Sequence, residues 1–246
     1  MALTGVASAD ITTITPLSGG TWTLDPSTQI FLNNGVLSAG TYLHWTVGTA
    51  TYELSSTMGC ISASDTLSFS FDATNNGTGN SILTLALIGS SNAIVAGHGS
   101  YDKPGDAVQV ALTTNTTANG YGFAATNADD DIELTAAATL AGAMPTGGVT
   151  TTISGVIAWD GDSYALTLSS SAITDTLTYD LGLTSIEVSK LMVTLEGGDN
   201  GNDGADWDKT PTMSNLSVTG KVIPEPTTAT LSLLALAGLA ARRRRK

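Results

Sequence analysis

The sequence predicts an all-β protein, an antiparallel two-sheet sandwich, and three observations carry that expectation. Apolar residues recur with a period of two in short runs rich in Thr, Val and aromatic residues. Gly, Asn or Asp bounds each run, so turn signals recur at intervals of about 8–15 residues. Helix signals are nearly absent. Only Ala136–Ala143, interrupted by Gly142 and followed by Pro145, and a turn over Thr184–Lys190 have any helical character.

Taken in order, the runs are as follows. In Asp65–Asp72, Leu67, Phe69 and Phe71 face one way and Ser68, Ser70 and Asp72 the other. Ile82–Ile88 is more continuously apolar, interrupted only by Thr84, as expected of a strand buried centrally. Asp106–Leu112 alternates through Val108, Val110 and Leu112. Thr150–Trp159 and Ser163–Leu168 flank Asp160-Gly161, a dipeptide that predicts a tight hairpin. Ser189–Glu196 alternates through Leu191, Val193 and Leu195, and Leu216 and Val218 repeat the pattern near the end. No stretch before Val222 reads as a linker, so residues 10–221 are expected to form one sandwich domain. Inward faces would build the core, and outward Ser and Thr would keep the sheets soluble without charge.

Composition then narrows the function. Thr (39 residues) and Ser (24) far outnumber charged residues, which make up 13% of the chain, and the net charge is −13. All four arginines lie at Arg242, Arg243, Arg244 and Arg245. The body therefore has no arginine and only four lysines (Lys103, Lys190, Lys209, Lys221) against 21 acids, all but Glu225 of the chain's 22. Such a body repels polyanions and lacks the bidentate contacts of nucleic-acid interfaces, so nucleic acid is excluded as a partner. A single cysteine, Cys60, excludes an internal disulfide framework and a Cys-based zinc site. Two histidines, His44 and His98, make a poor start for a His-rich metal centre.

The two ends point to export. Residues 222–246 read as a Pro224-Glu225-Pro226 linker, an uncharged apolar stretch from Ala229 to Ala241, and the basic tail Arg242–Lys246. The prolines hold the linker extended. Thirteen helical residues rise about 20 Å, short of a hydrocarbon core of about 30 Å, and snorkelling of the terminal Arg and Lys side chains brings the span near the minimum. The positive charges would stay cytoplasmic and the acidic body would lie across the membrane. These three parts in this order resemble the PEP-CTERM sorting signal of Gram-negative bacteria. The resemblance implies an exosortase-type sorting enzyme as partner, transit through the inner membrane, and delivery to the cell surface or extracellular matrix. Residues 1–9 contain Ala7-Ser8-Ala9, a small-x-small pattern before Asp10, and read as the remnant of a signal peptide or a disordered start.

The body carries a second resemblance. Thr152–Leu168 is similar to a strand–turn–strand unit of laminin-G-like, concanavalin A-like jelly rolls, and Leu191–Val218 supplies a strand, a Gly/Asn/Asp loop and a return strand. The resemblance implies a jelly roll in preference to an immunoglobulin-like sandwich.

Candidate sites fall on loops. Gly197–Asp208 gathers Asp199, Asn202, Asp203, Asp206 and Asp208 on a Gly-rich backbone, the oxygen-rich composition that calcium would suit, although the spacing is not that of an EF-hand. No cofactor is required by the pattern. Trp207, flanked by Asp206 and Asp208, has the company of a sugar platform, because sugars present apolar C–H faces and flanking hydroxyls. Its plainer alternative is a core anchor pinning the loop. No catalytic residue is identified: there is no nucleophile elbow, and Glu53, Glu133, Glu187 and Glu196 form no glycosidase pattern. Cys60 reads as a buried small residue.

Three functions follow, in this order of preference. The first is a non-catalytic, exported component of the cell surface or matrix. The second is a carbohydrate-binding, lectin-like module, with surface polysaccharide as its partner and calcium as its ion. The third is a glycoside hydrolase.

Overall fold

The computed structural model describes residues 10–25, 30–39, 47–75, 81–89, 107–115, 120–126, 148–196 and 211–223. Fourteen strands account for nearly all of them: β1 (Ile11–Ile14), β2 (Thr23–Leu24), β3 (Ile30–Asn33), β4 (Val36–Ala39), β5 (Val47–Cys60), β6 (Leu67–Asn75), β7 (Ser81–Ile88), β8 (Ala107–Asn115), β9 (Gly120–Thr126), β10 (Val149–Trp159), β11 (Tyr164–Ser170), β12 (Ile173–Leu183), β13 (Ile186–Glu196) and β14 (Thr212–Val222). A 3-10 turn covers Pro16–Ser18. The C-terminal apolar segment and the sorting motif lie outside the described residues.

Among the described strands every pairing is antiparallel, and the ladder runs β12-β11-β10-β6-β14-β5-β13-β7-β8-β9. The first five strands make one sheet and the last five the other. They are joined where the end of β14 pairs with β5, Lys221 opposite Gly59 and Val222 opposite Met58. One apolar cluster draws on both sheets: Leu67, Phe69 and Phe71 of β6, Ile153 and Ile157 of β10, and Leu216 and Val218 of β14 join Leu83, Leu85 and Leu87 of β7 and Leu191, Val193 and Leu195 of β13. This is the two-sheet core that alternation dictates.

The opposite face of the first sheet is a field of hydroxyls. Thr13 bonds Thr219 (2.8 Å), Ser70 bonds Ser217 (3.0 Å), Thr74 bonds Thr150 (2.8 Å) and Thr167 bonds Thr178 (3.2 Å), each across a strand pair. Cross-strand hydroxyl pairs of this kind support a sheet without charge. In the second sheet, β7 is buried on both faces from Leu83 to Ile88, Thr84 included. Leu83, Leu85 and Leu87 enter the main core, while Ala86 and Ile88 pack with Met192 in a separate cluster.

The hairpin expected at Asp160-Gly161 is present. Trp159 pairs with Tyr164, the Asp160 N–H donates to Ser163 O (2.9 Å), and Gly161 takes φ +102°. The helical character expected over Thr184–Lys190 is not: β13 starts at Ile186, because pairing with β5 and β7 outweighs local preference.

Candidate functional site

Trp207 and the acidic loop residues Asp199, Asn202, Asp203, Asp206 and Asp208 lie outside the described residues, as do Pro224, Glu225, Pro226 and Arg242–Arg245. The strands that carry the loop are described. The register sets Glu196, where β13 ends, opposite Val47 of β5 and Ile82 of β7. Ser81 pairs with Thr114, and Asn115 with Gly120. One end of each of segments 40–46, 76–80 and 197–210, and both ends of 116–119, therefore meet at one end of the second sheet.

β14, which the chain enters after that loop, carries a notch. Along one edge it pairs with β4 at Thr212–Ser214 and with β1 at Val218–Lys221, leaving Asn215–Ser217 without a strand neighbour on that side among the described residues. On its other edge the register with β6 slips here, so Asn215 and Leu216 oppose the single residue Phe71. This is a β-bulge, with Asn215 in the left-handed region at φ +52°. Facing the gap, Asn34-Gly35 forms a two-residue turn between β3 and β4, with φ +50° and +78°. That sign pair is the type I′ signature, for which Asn-Gly is the preferred sequence.

The resulting cleft has a volume of about 730 Å³. Its lining is Thr15, Leu17, Ser18, Asn34, Gly35, Val36, Ser214, Asn215 and Leu216, with no charged side chain among these residues. Leu17 and Leu216 are buried in the main core beneath it, and Val36 is half-buried. Asn215 Nδ2 donates to Asp72 Oδ2 (2.8 Å), whose other oxygen accepts from Thr152 Oγ1 (2.6 Å). Ser18 Oγ donates to Thr15 O (2.9 Å). Sequence reasoning missed these residues. Asn34-Gly35 was available as a turn signal, but nothing in Ser214-Asn215-Leu216 announces a bulge.

A second polar constellation lies at the opposite end, where β5 crosses over to β6. Asp65 is buried, with Oδ2 accepting from the Ile61 and Ser62 N–H groups (3.1 and 2.9 Å) and Oδ1 from Lys221 Nζ (3.0 Å). Burial opposes its ionisation, yet the Lys221 ammonium, the Ile61 N–H and the hydroxyl and N–H of Ser62 outweigh it and hold the carboxyl below its ordinary value. Tyr164 Oη donates to Ser62 O (2.6 Å), and burial raises its phenol, followed by the charges of Cys60 and Asp65. Burial, then the Asp65 charge, push the Cys60 thiol up to about 12. Every group is spent on holding the crossover, and a thiol so raised is a poor nucleophile.

The other well-placed acids are also engaged. Asp180, on β12, accepts from the Ser163 hydroxyl and the Gly182 N–H, which lower its carboxyl. Glu53 pairs with Lys190 at 2.6 Å. Among the described residues no three His, Cys, Asp or Glu side chains converge on a metal position, and no helix is long and apolar enough to cross a membrane.

No protein-family model matches the chain, and no curated protein matches it either. Solved structures do. Peanut lectin superposes with a TM-score of 0.58 at 14% identity, covering 88% of this chain and 100% of its own. The winged bean acidic lectin, complexed with methyl-α-D-galactose, gives 0.54 at 13% identity, over 87% and 100%. The carbohydrate recognition domain of Emp46p, in a metal-free form, gives 0.54 at 13% identity, over 82% and 89%. Curled antiparallel sheets, a shared core and coverage of whole lectin chains identify the fold as a concanavalin A-like jelly roll.

Proposed function

We propose that the chain is an exported cell-surface protein whose body, residues 10–221, binds carbohydrate without catalysis. The observation that carries this reading is the likeness to lectins over their full length. It favours carbohydrate binding over the purely structural component that the sequence placed first. A non-catalytic role is further supported by the state of the described acids: Asp65, Asp72 and Asp180 are each tied to structural partners. The ligand platform is Trp207 with its flanking acids on the loop between Glu196 and Pro211, and calcium held by Asp199, Asn202, Asp203, Asp206 and Asp208 would order that loop. Surface polysaccharide is the partner.

Export rests on the tail. Pro224-Glu225-Pro226, the apolar stretch and Arg242–Arg245 supply the sorting signal that an exosortase-type enzyme would read, after transit of the inner membrane of a Gram-negative bacterium. The body is then delivered to the surface or the matrix.

Binding of the full chain to a glycan array, first with calcium and then with a chelator, tests the main claim. Saturable binding is expected, weakened about tenfold by Trp207→Ala, which corresponds to about 1.4 kcal/mol. Absence of binding under both conditions would return the body to a structural role. Separately, replacing Pro224, Glu225 and Pro226 by Ala is expected to hold the protein in the membrane fraction; unchanged release would contradict the sorting assignment.

A further inference from the structure

We infer that the notch on the edge of β14 is a second site, one that takes a neutral saccharide unit. The inference shares its ligand class with the proposed function and rests on it to that extent, but it rests on different residues. Its origin is a gap in the ladder: between β4 and β1, Asn215, Leu216 and Ser217 have no described strand beside them, and the Pro16–Ser18 turn and the Asn34-Gly35 turn wall the gap instead of closing it.

The chemistry of the walls selects the ligand. Anions have no cationic partner there and cations no carboxylate, since the described lining has no Asp, Glu, Lys or Arg. A purely apolar ligand would cut the Asn34 carboxamide and the Ser214 hydroxyl off from water, at desolvation cost. A saccharide suits both halves. Its C–H surface can meet the half-buried Val36, and its hydroxyls need partners that donate and accept, which hydroxyls and carboxamides do. The volume of about 730 Å³ sits within the range of small-molecule sites, about 300–1,000 Å³.

The site is also built in advance. Both carboxamides hang from backbone held at positive φ, Asn34 by the type I′ turn and Asn215 by the bulge. Asn215 is fixed further by its bond to Asp72, which uses an amide hydrogen and leaves the amide oxygen as an acceptor. The Asn34 carboxamide has no partner among the described residues. The Asn215 carboxamide, held in this way, loses little entropy when a ligand arrives.

The test is a titration of the isotope-labelled full chain with methyl α-D-galactoside, methyl α-D-mannoside, lactose and maltose, following the side-chain amide signals of Asn34 and Asn215 by NMR. At least one of these sugars is expected to shift both signals saturably. Asn34→Gly removes the carboxamide at a position where glycine is conformationally at ease, so it should weaken binding about tenfold with an unchanged unfolding midpoint. Ser214→Phe, which fills the cleft from a strand position, should abolish it. Sugar binding that leaves both amide signals still and vanishes in Trp207→Ala would overturn the notch while sustaining the carbohydrate-binding body. Notch signals that shift equally in Trp207→Ala would sustain the notch. Failure of all four sugars to bind anywhere would overturn the notch, and the array decides the wider reading on its own.

Discussion

Asp65 shows how a single side chain can set a crossover. It caps two N–H groups of its own turn and holds Lys221 of β14, at the place where the two sheets are hydrogen-bonded to each other. Because its folded carboxyl lies below its ordinary value of 3.8, its contribution is complete above that value and fades as pH falls through the lower, folded one. Asp65→Asn should therefore cost roughly 2 kcal/mol in urea unfolding at neutral pH and much less in acid. An equal deficit at both pH values would show that charge is not the cause. Thr84 makes the opposite case. It is buried with the Ala86 side of β7, and its hydroxyl has no partner among the described residues. Thr84→Val, which keeps the shape and removes the stranded hydroxyl, should stabilise by about 1 kcal/mol and raise the melting temperature by about 2–4 °C. A lower melting temperature would mean that the hydroxyl is satisfied.

Among the elements, β5 has the least tolerance. A Cβ at Gly59 would lie 1.9 Å from the carbonyl oxygen of Ile186, and backbone on both sides, β13 and β14, leaves it no room to move. Gly155 on β10 has the Phe69 ring over it instead, 2.1 Å from where a Cβ would stand, and a ring can turn aside. Gly59→Ala should thus cost more than Gly155→Ala, roughly 3 kcal/mol or above, in chemical unfolding; the reverse order would contradict the assigned register. Legibility of the elements followed the strength of alternation. Leu67, Phe69 and Phe71, or Leu191, Val193 and Leu195, name their strands outright, since all six are buried. β5 is diluted by Thr, Ser and Gly, and β12 by Thr and Asp, so each owes its place to neighbours more than to its own pattern. The Asn34-Gly35 hairpin was open to sequence reading, flanked as it is by short apolar runs. The bulge at Asn215 was not, because it arises from a register slip against β6 that no local residue dictates.

For the whole molecule, alternation and turn spacing suffice for a sandwich, and the Thr152–Leu168 unit pointed on to the jelly roll. Composition argued against more than it assigned: a body without arginine and with net acidity is expected to repel a polyanion. The described part of the site became visible only through topology, which brings Thr15, Asn34 and Asn215 together from distant parts of the chain. The sugar platform at Trp207 rests on local composition, which names a chemistry without placing it.

Carbohydrate binding by this acidic jelly roll can be read from thermal unfolding of the full chain across saccharide concentration. A ligand that binds only the folded state raises its stability by about 1.4 kcal/mol at tenfold over Kd. The melting temperature is expected to climb with concentration for at least one neutral sugar and to stay level for nucleic acid. A melting temperature that no saccharide moves, with or without calcium, would contradict carbohydrate binding.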